Sequence, residues 1–147
     1  MKRFVTGFAL FVFIMGLIPE TSCRGFAQTE KIVTAAQVNG TWKSKNGTFK
    51  ILALGNQKLK VEFSGIYEYK SPQGPTANFG EGSGIAVING DTAIFKPADS
   101  DEECRITMVF AKGRLEVEQE GVCGFGNNVT ARGIYRKVSS QKPKFEE

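Results

Sequence analysis

Few side chains in this sequence are able to carry acid–base or metal chemistry. The chain contains no histidine, which excludes histidine-based triads, histidine proton shuttles and the usual histidine-containing zinc sites. Glu62 and Glu68 are the candidates for a glycosidase-like pair, but both fall on the charged side of one alternating segment, which predicts that they stand in open water. The acidic run at 99–103 begins like a calcium loop, yet Cys104 and Phe110 stand where glycine and glutamate are required. The sequence therefore predicts a protein that is not an enzyme and holds no metal or cofactor.

Two of the cysteines, Cys104 and Cys123, lie in the C-terminal part of the chain. In an exported protein such a pair favours a disulfide over a metal site or a catalytic thiol. With a hairpin tip at 112–113, a bulge or short curl at 120–122 brings the two sulfurs together. The predicted bond clamps the open end of that hairpin.

Two segments carry the predicted partner contacts, Phe79, Phe125 and Asn127. Phe125 stands between two glycines in the segment 123–128, and two interpretations are open. It is either tucked under one end of the fold or held exposed as an aromatic anchor for a partner. The Pro-, Gly- and Asn-rich stretch 71–83 is longer than a tight turn, so we expect a loop that carries Phe79. It is either a lid or contact surface or a flexible excursion without a function.

The N-terminus has the order of a secretory signal. Two basic residues precede an uncharged apolar run over 4–18, which is too short for a bilayer span. Small residues at Gly25 and Ala27 predict cleavage after Ala27 and a secreted or periplasmic mature protein. The alternative is a lipoprotein acylated at Cys23, but Glu20 stands where that processing expects a leucine-like side chain.

Beyond residue 40 the hydrophobic pattern has a period of two, which is typical of half-buried antiparallel strands. It is longest over 58–69, and turn signals such as Asn46-Gly47 separate about eight such segments. The pattern predicts an all-β, antiparallel eight-stranded meander barrel, with a two-sheet sandwich as the alternative. The predicted units are a signal peptide (1–27), a lead-in (28–39), the barrel (40–138) and a flexible tail (139–147).

A barrel interior suggests a second function. Trp42, Phe63 and Tyr67 fall on inward-facing positions, so the alternative hypothesis is a carrier of a small apolar ligand that contacts these three side chains.

The C-terminal pattern carries a resemblance. Alternating apolar residues after Cys104, then Cys123-Gly124-Phe125-Gly126 and a Gly-x-Tyr at 133–135, resemble small exported bacterial β-barrel domains found among lysozyme-inhibitor lipoproteins. The resemblance covers the last third of the chain and implies inhibition of a cell-wall hydrolase. Gly40-Thr41-Trp42 also resembles the opening strand of avidin-like and lipocalin-like barrels.

Taken with the charge, these features predict a non-catalytic binding module. The formal net charge of +4 comes mostly from the leader and the tail, so no clustered basic field is available for nucleic acid. The expected partner is an envelope or extracellular protein or glycan, and no membrane span is expected. Asn39, Asn46 and Asn128 lie in Asn-x-Thr sequons, which matter only in a host that glycosylates secreted asparagine.

Overall fold

A computed structural model describes residues 32–146, which form a closed antiparallel barrel of eight strands. Each strand pairs with the next in the chain, and β8 closes the barrel on β1. The predicted eight-stranded meander barrel is confirmed, and the sandwich alternative is wrong. The predicted leader and Cys23 lie outside the described residues. The elements are α1 (Ala35–Val38), β1 (Gly40–Lys43), β2 (Gly47–Gly55), β3 (Lys58–Ser71), β4 (Gly74–Asn89), β5 (Thr92–Phe95), β6 (Arg105–Ala111), β7 (Arg114–Glu120) and β8 (Gly133–Ser139).

Alternation along the strands fills the barrel with side chains. In β6, for example, Ile106, Met108 and Phe110 are buried and their neighbours face outward. Large rings meet across the interior: Trp42 packs edge-on against Phe110, with ring centroids 5.8 Å apart. Because the inward positions are occupied by large apolar residues, the strands enclose a packed core rather than an open channel.

The lead-in before the barrel holds a single helical turn, α1, against the wall. The indole N–H of Trp42 donates to the carbonyl of Val38 over 3.0 Å. From β8, Lys137 Nζ donates to the carbonyls of Ala36 and Gln37 over 3.0 and 2.7 Å. A helix this short has little stability of its own, so these contacts hold it in place.

The predicted disulfide between Cys104 and Cys123 is present, with the two Cα atoms 4.8 Å apart. The chain leaves β7 through Gly121, whose φ of +70° is a left-handed conformation that glycine adopts freely. This turn lies within the curl predicted at 120–122, and it returns the chain toward the start of β6.

The loop predicted over 71–83 is wrong, because β4 already begins at Gly74 and runs without interruption to Asn89. It pairs with β3 residue by residue from Ser71↔Gly74 to Lys58↔Val87, leaving only 72–73 as a turn. The proline at Pro75 lies where β4 has a strand on one side only, an edge position at which proline is tolerated.

The C-terminal residues, expected to form a loose tail, lie back against the outside of the barrel as far as Glu146. Pro143 is buried, and the backbone N–H of Glu146 donates to Glu62 Oε2 over 2.9 Å. The ring of Phe145 lies 4.5 Å from Lys60 Nζ, a cation–π contact. The tail thus covers the outer surface of β2 and β3.

Candidate functional site

The longest hairpin extends past the rest of the barrel. The last residue of β3 that pairs with β2 is Gly65, and β4 has β5 as a neighbour only from Ala86 onward. Residues 66–79 therefore form a two-stranded ribbon, here called the arm. It extends about 17 Å from its base to its turn, at about 3.4 Å per residue.

The buried side chain of Phe125 packs between the barrel core and the base of the arm. Its side chain is 3% exposed, and its ring centroid lies 4.8 Å from that of Phe63. Gly82 makes room for this ring, since a Cβ there would lie 2.5 Å from a Phe125 ring carbon. At Gly80 a Cβ would collide with the Phe125 carbonyl oxygen. Glycine at these two positions lets the loop and β4 approach closely.

The exposed-anchor interpretation of Phe125 is therefore wrong, and the tucked-in alternative is the one observed. The flanking glycines are compatible with either interpretation, because they permit a turn without determining the direction in which the Phe125 ring points. Asn127 remains exposed, and its carbonyl accepts a 2.8 Å hydrogen bond from Asn78 Nδ2 of the arm. The structure thus joins the loop and the arm, the two segments predicted to contact a partner.

The arm has two faces. The inner face continues the inward-pointing positions of β3 and β4, and the outer face continues the outward-pointing ones. Tyr67, Tyr69, Ser71, Gly74, Thr76 and Asn78 form the inner face; Ile66, Glu68, Lys70, Pro75, Ala77 and Phe79 form the outer face.

Aromatic side chains are exposed on both faces. On the inner face, Tyr67 and Tyr69 are 40% and 42% exposed, and their rings stack with centroids 6.0 Å apart and planes 25° apart. On the outer face, Phe79 is 72% exposed and lies directly across from Ile66. The surface is concave on either side of Phe79, with hollows of about 760 Å³ toward the arm tip and about 190 Å³ toward the turn between β1 and β2.

Sequence reasoning identified Phe79 and Tyr67 but not Tyr69 as a contact residue. A signal was available: the alternating segment 58–69 is longer than the neighbouring segment 48–54. The longer segment therefore extends past the end of the shorter one. Its inward-facing residues beyond that point are not covered by the neighbouring strand.

The three residues predicted to contact an interior ligand do not form one site. Trp42 and Phe63 are fully buried, while Tyr67 stands on the arm. Phe63 packs on Phe49 at 4.8 Å between ring centroids, as well as on Phe125. Aromatic rings therefore fill the space in which the ligand was expected.

A separate cavity of about 480 Å³ lies at the turns between β2 and β3 and between β4 and β5. The lead-in contributes Val33 and Val38 to its lining, and the barrel contributes Ala53, Leu59 and Ile88. A hydrogen bond of 3.2 Å from the Val33 N–H to the Gly90 carbonyl fixes the lead-in beside it. This cavity could not be predicted from the sequence, because the weak periodicity of the lead-in does not reveal where it packs.

Two lysines of the barrel wall have altered pKa values. The pKa of Lys50 is raised, mainly by its hydrogen-bonded ion pair with Glu62, although partial burial acts in the opposite direction. Desolvation lowers the pKa of Lys137. The expectation that Glu62 stands in open water is wrong: it is the one carboxylate buried among the described residues, and Lys50 neutralises it.

The carboxylates Glu62 and Glu68 are too far apart to act as a glycosidase pair. They are six residues apart on β3, about 20 Å in an extended strand. The carboxyl groups of glycosidases lie about 5–10 Å apart. Within residues 32–146, no group of three or more histidine, cysteine or acidic side chains is arranged to hold a metal ion.

Comparisons of the chain with protein-family models, curated proteins and solved structures gave no match. Over the residues that the structure describes, no helix is long and apolar enough to cross a membrane. The arm, with exposed rings on both faces and the Asn127 loop at its base, is the candidate functional site.

Proposed function

We propose that the protein is a non-catalytic exported binding module that holds an envelope or extracellular protein or glycan with its arm. The exposure of Tyr67, Tyr69 and Phe79 on a ribbon that projects from the barrel is the observation that carries this proposal. Tyrosine and other aromatic side chains are enriched where proteins bind partners, because each supplies a large contact area with few rotatable bonds.

The energetics of the ribbon support a binding role. A two-stranded hairpin on its own is marginally stable in water. Here the Asn78–Asn127 hydrogen bond and the close packing of the 123–128 loop hold its base. Such support restricts the motion of the base of the arm before binding, which lowers the entropy lost when a partner docks.

Exposure on both faces favours a partner with a cleft. A flat surface would cover either Phe79 or the two tyrosines, but a cleft contacts both faces of an inserted ribbon. An arm that fills the substrate cleft of a cell-wall hydrolase would inhibit it, which agrees with the resemblance of the C-terminal third to domains of lysozyme-inhibitor lipoproteins. Export is supported by the signal-like leader of the sequence and by the Cys104–Cys123 bond.

The test compares two substitutions on the same strand. Phe79→Ser removes the exposed ring of the arm, and Val87→Ser is the matched control. Both side chains point outward from β4 and are exposed, but they are eight residues apart, about 27 Å along the strand.

Purified wild-type protein should capture its partner from envelope extract of its own host, and the Val87→Ser control should do the same. Phe79→Ser should lose most of this capture while keeping the wild-type thermal midpoint. If the partner is a hydrolase, the wild-type protein should lower its activity on titration and Phe79→Ser should not. Equal capture by the two variants would refute the role of the arm.

The alternative function, a carrier of a small apolar ligand, is favoured by one observation, the 480 Å³ cavity at the far turns. Its volume falls within the range of small-molecule sites, about 300–1,000 Å³. Native mass spectrometry of protein purified from its host should show bound mass if a ligand occupies this cavity. Replacing Ala53 by tryptophan to fill the cavity should then remove that mass.

A further inference from the structure

The inner face of the arm differs chemically from its outer face. Side chains two apart on a strand lie roughly 6.5–7 Å apart, and the rings of Tyr67 and Tyr69 approach to 6.0 Å with nearly parallel planes. The two rings therefore form one aromatic cluster on this face, here called the platform. Both remain about two-fifths exposed.

Uncharged polar groups border this platform. Asn78 lies directly across from Tyr67, and Thr76 lies directly across from Tyr69. Cross-strand neighbours share a face of the sheet, so an amide and a hydroxyl stand beside the two rings. The inner face carries no charged residue, whereas the outer face carries Glu68 and Lys70.

The loop at the base of the arm extends this polar border. Asn127 is held next to Asn78 by the 2.8 Å hydrogen bond from Asn78 Nδ2 to its carbonyl. Its own side-chain amide is not engaged in a hydrogen bond with the described residues, and Asn127 is exposed. The platform therefore ends at a corner that presents amide donors and acceptors.

These groups indicate the chemistry of the occupant. The face of an aromatic ring is electron-rich and attracts weakly positive C–H groups. A pyranose ring presents C–H groups on a face and hydroxyls around its rim, which match the tyrosine rings and the surrounding amide and hydroxyl groups. A nucleic acid strand would also stack on rings, but it needs a basic groove for its phosphates, and the inner face has no lysine or arginine.

We propose that the inner face of the arm binds an uncharged oligosaccharide, with sugar rings stacked on Tyr67 and Tyr69. This inference rests on the proposed function and specifies the partner of one face as a neutral glycan chain. Thr76, Asn78 and Asn127 supply hydrogen bonds to the sugar hydroxyls.

The test uses two soluble probes, the hexamers of β-1,4-linked N-acetylglucosamine and of β-1,4-linked glucose. Calorimetry measures affinity, and NMR shifts of the tyrosine ring protons locate the contact. Tyr69→Ala should weaken binding of the preferred hexamer roughly tenfold or more, comparable to the loss of one aromatic stacking partner. Tyr69→Phe keeps the ring and should retain most of the affinity, and Val87→Ser, which lies outside the arm, should leave the affinity unchanged.

Absence of binding by both hexamers at concentrations up to about 10 mM would overturn the inference. Equal binding by Tyr69→Ala and wild type would also overturn it. A proline-rich peptide that shifts the same ring signals when neither hexamer does would assign the platform to peptide recognition instead. If the glycan inference fails but partner capture still depends on Phe79, the proposed function is retained. Failure of the inference and failure of the proposed function are therefore distinguishable.

Discussion

Replacing Phe125 by alanine tests how the arm is anchored, because this ring fills the space between the barrel core and the part of β4 at the base of the arm. Burial of the ring against Phe63, with only 3% exposed, places the substitution among buried Phe→Ala changes, which cost about 3–5 kcal/mol. The upper part of this range is expected, since Gly80 and Gly82 have no side chains that could move into the cavity. At about 4 °C per kcal/mol for a domain of this size, a loss of about 4–5 kcal/mol lowers the thermal midpoint by about 16–20 °C.

Circular dichroism during heating and urea titration, both with the disulfide intact, would measure the effect. Phe79→Ala is the matched control, because it removes the same ring from a position that is 72% exposed. The free energy of unfolding of this control should stay within about 0.5 kcal/mol of wild type. A Phe125→Ala midpoint within about 2 °C of wild type, or an equal loss in both variants, would refute the assignment of Phe125 to the core.

Three further outcomes are expected. Gly80→Ala should destabilise the fold by about 1–3 kcal/mol or more, because the new Cβ collides with the backbone of Phe125. The loss should appear as a lower urea midpoint, and an unchanged midpoint would contradict the close contact. Burial raises the pKa of Tyr135 to about 12. The stability that the protonated phenol contributes is therefore fully present below about pH 10 and is lost as the pH rises toward 12. The full loss amounts to about 2–3 kcal/mol. Urea titrations at pH 9.5 and 11.5 should therefore show a smaller alkaline loss in Tyr135→Phe than in wild type, and equal losses would refute this. Replacing both Cys104 and Cys123 by serine should lower the free energy of unfolding by about 3 kcal/mol, because their bond closes a segment with a sequence separation of 19; wild-type stability in the double variant would contradict that value.

Much of the barrel could be predicted from the sequence because its signals are local. Alternation identifies the buried face of each strand, and Asn46-Gly47 marks a turn whatever the chain does elsewhere. The disulfide followed from the same register, since the hairpin turn at 112–113 sets which residues lie across from each other.

The extent of β4 could not be predicted because its signals depend on distant residues. Glycine and proline are depleted in strands, so the stretch 71–83 has the composition of a loop. Two of its glycines are required by the Phe125 loop, which lies more than forty residues away in the sequence. Pro75 is tolerated because that part of β4 is an edge.

The candidate site was predicted in part for the same reason. Phe79 and Asn127 were identified from unusual composition and are exposed in the fold. The direction of the Phe125 ring depends on the core that receives it, and the exposure of Tyr69 depends on where β2 begins. Both are tertiary properties that local pattern does not contain.

Site-specific photo-crosslinking in the native host tests the central claim most directly. A photoreactive phenylalanine analogue would be placed at position 79 on the arm or, as the matched control, at position 87 on the same strand, where the side chain is 56% exposed. Irradiation should give a covalent adduct with one partner from position 79 and none from position 87. Adducts from position 87 alone, or equal adducts from both positions, would contradict recognition through the arm.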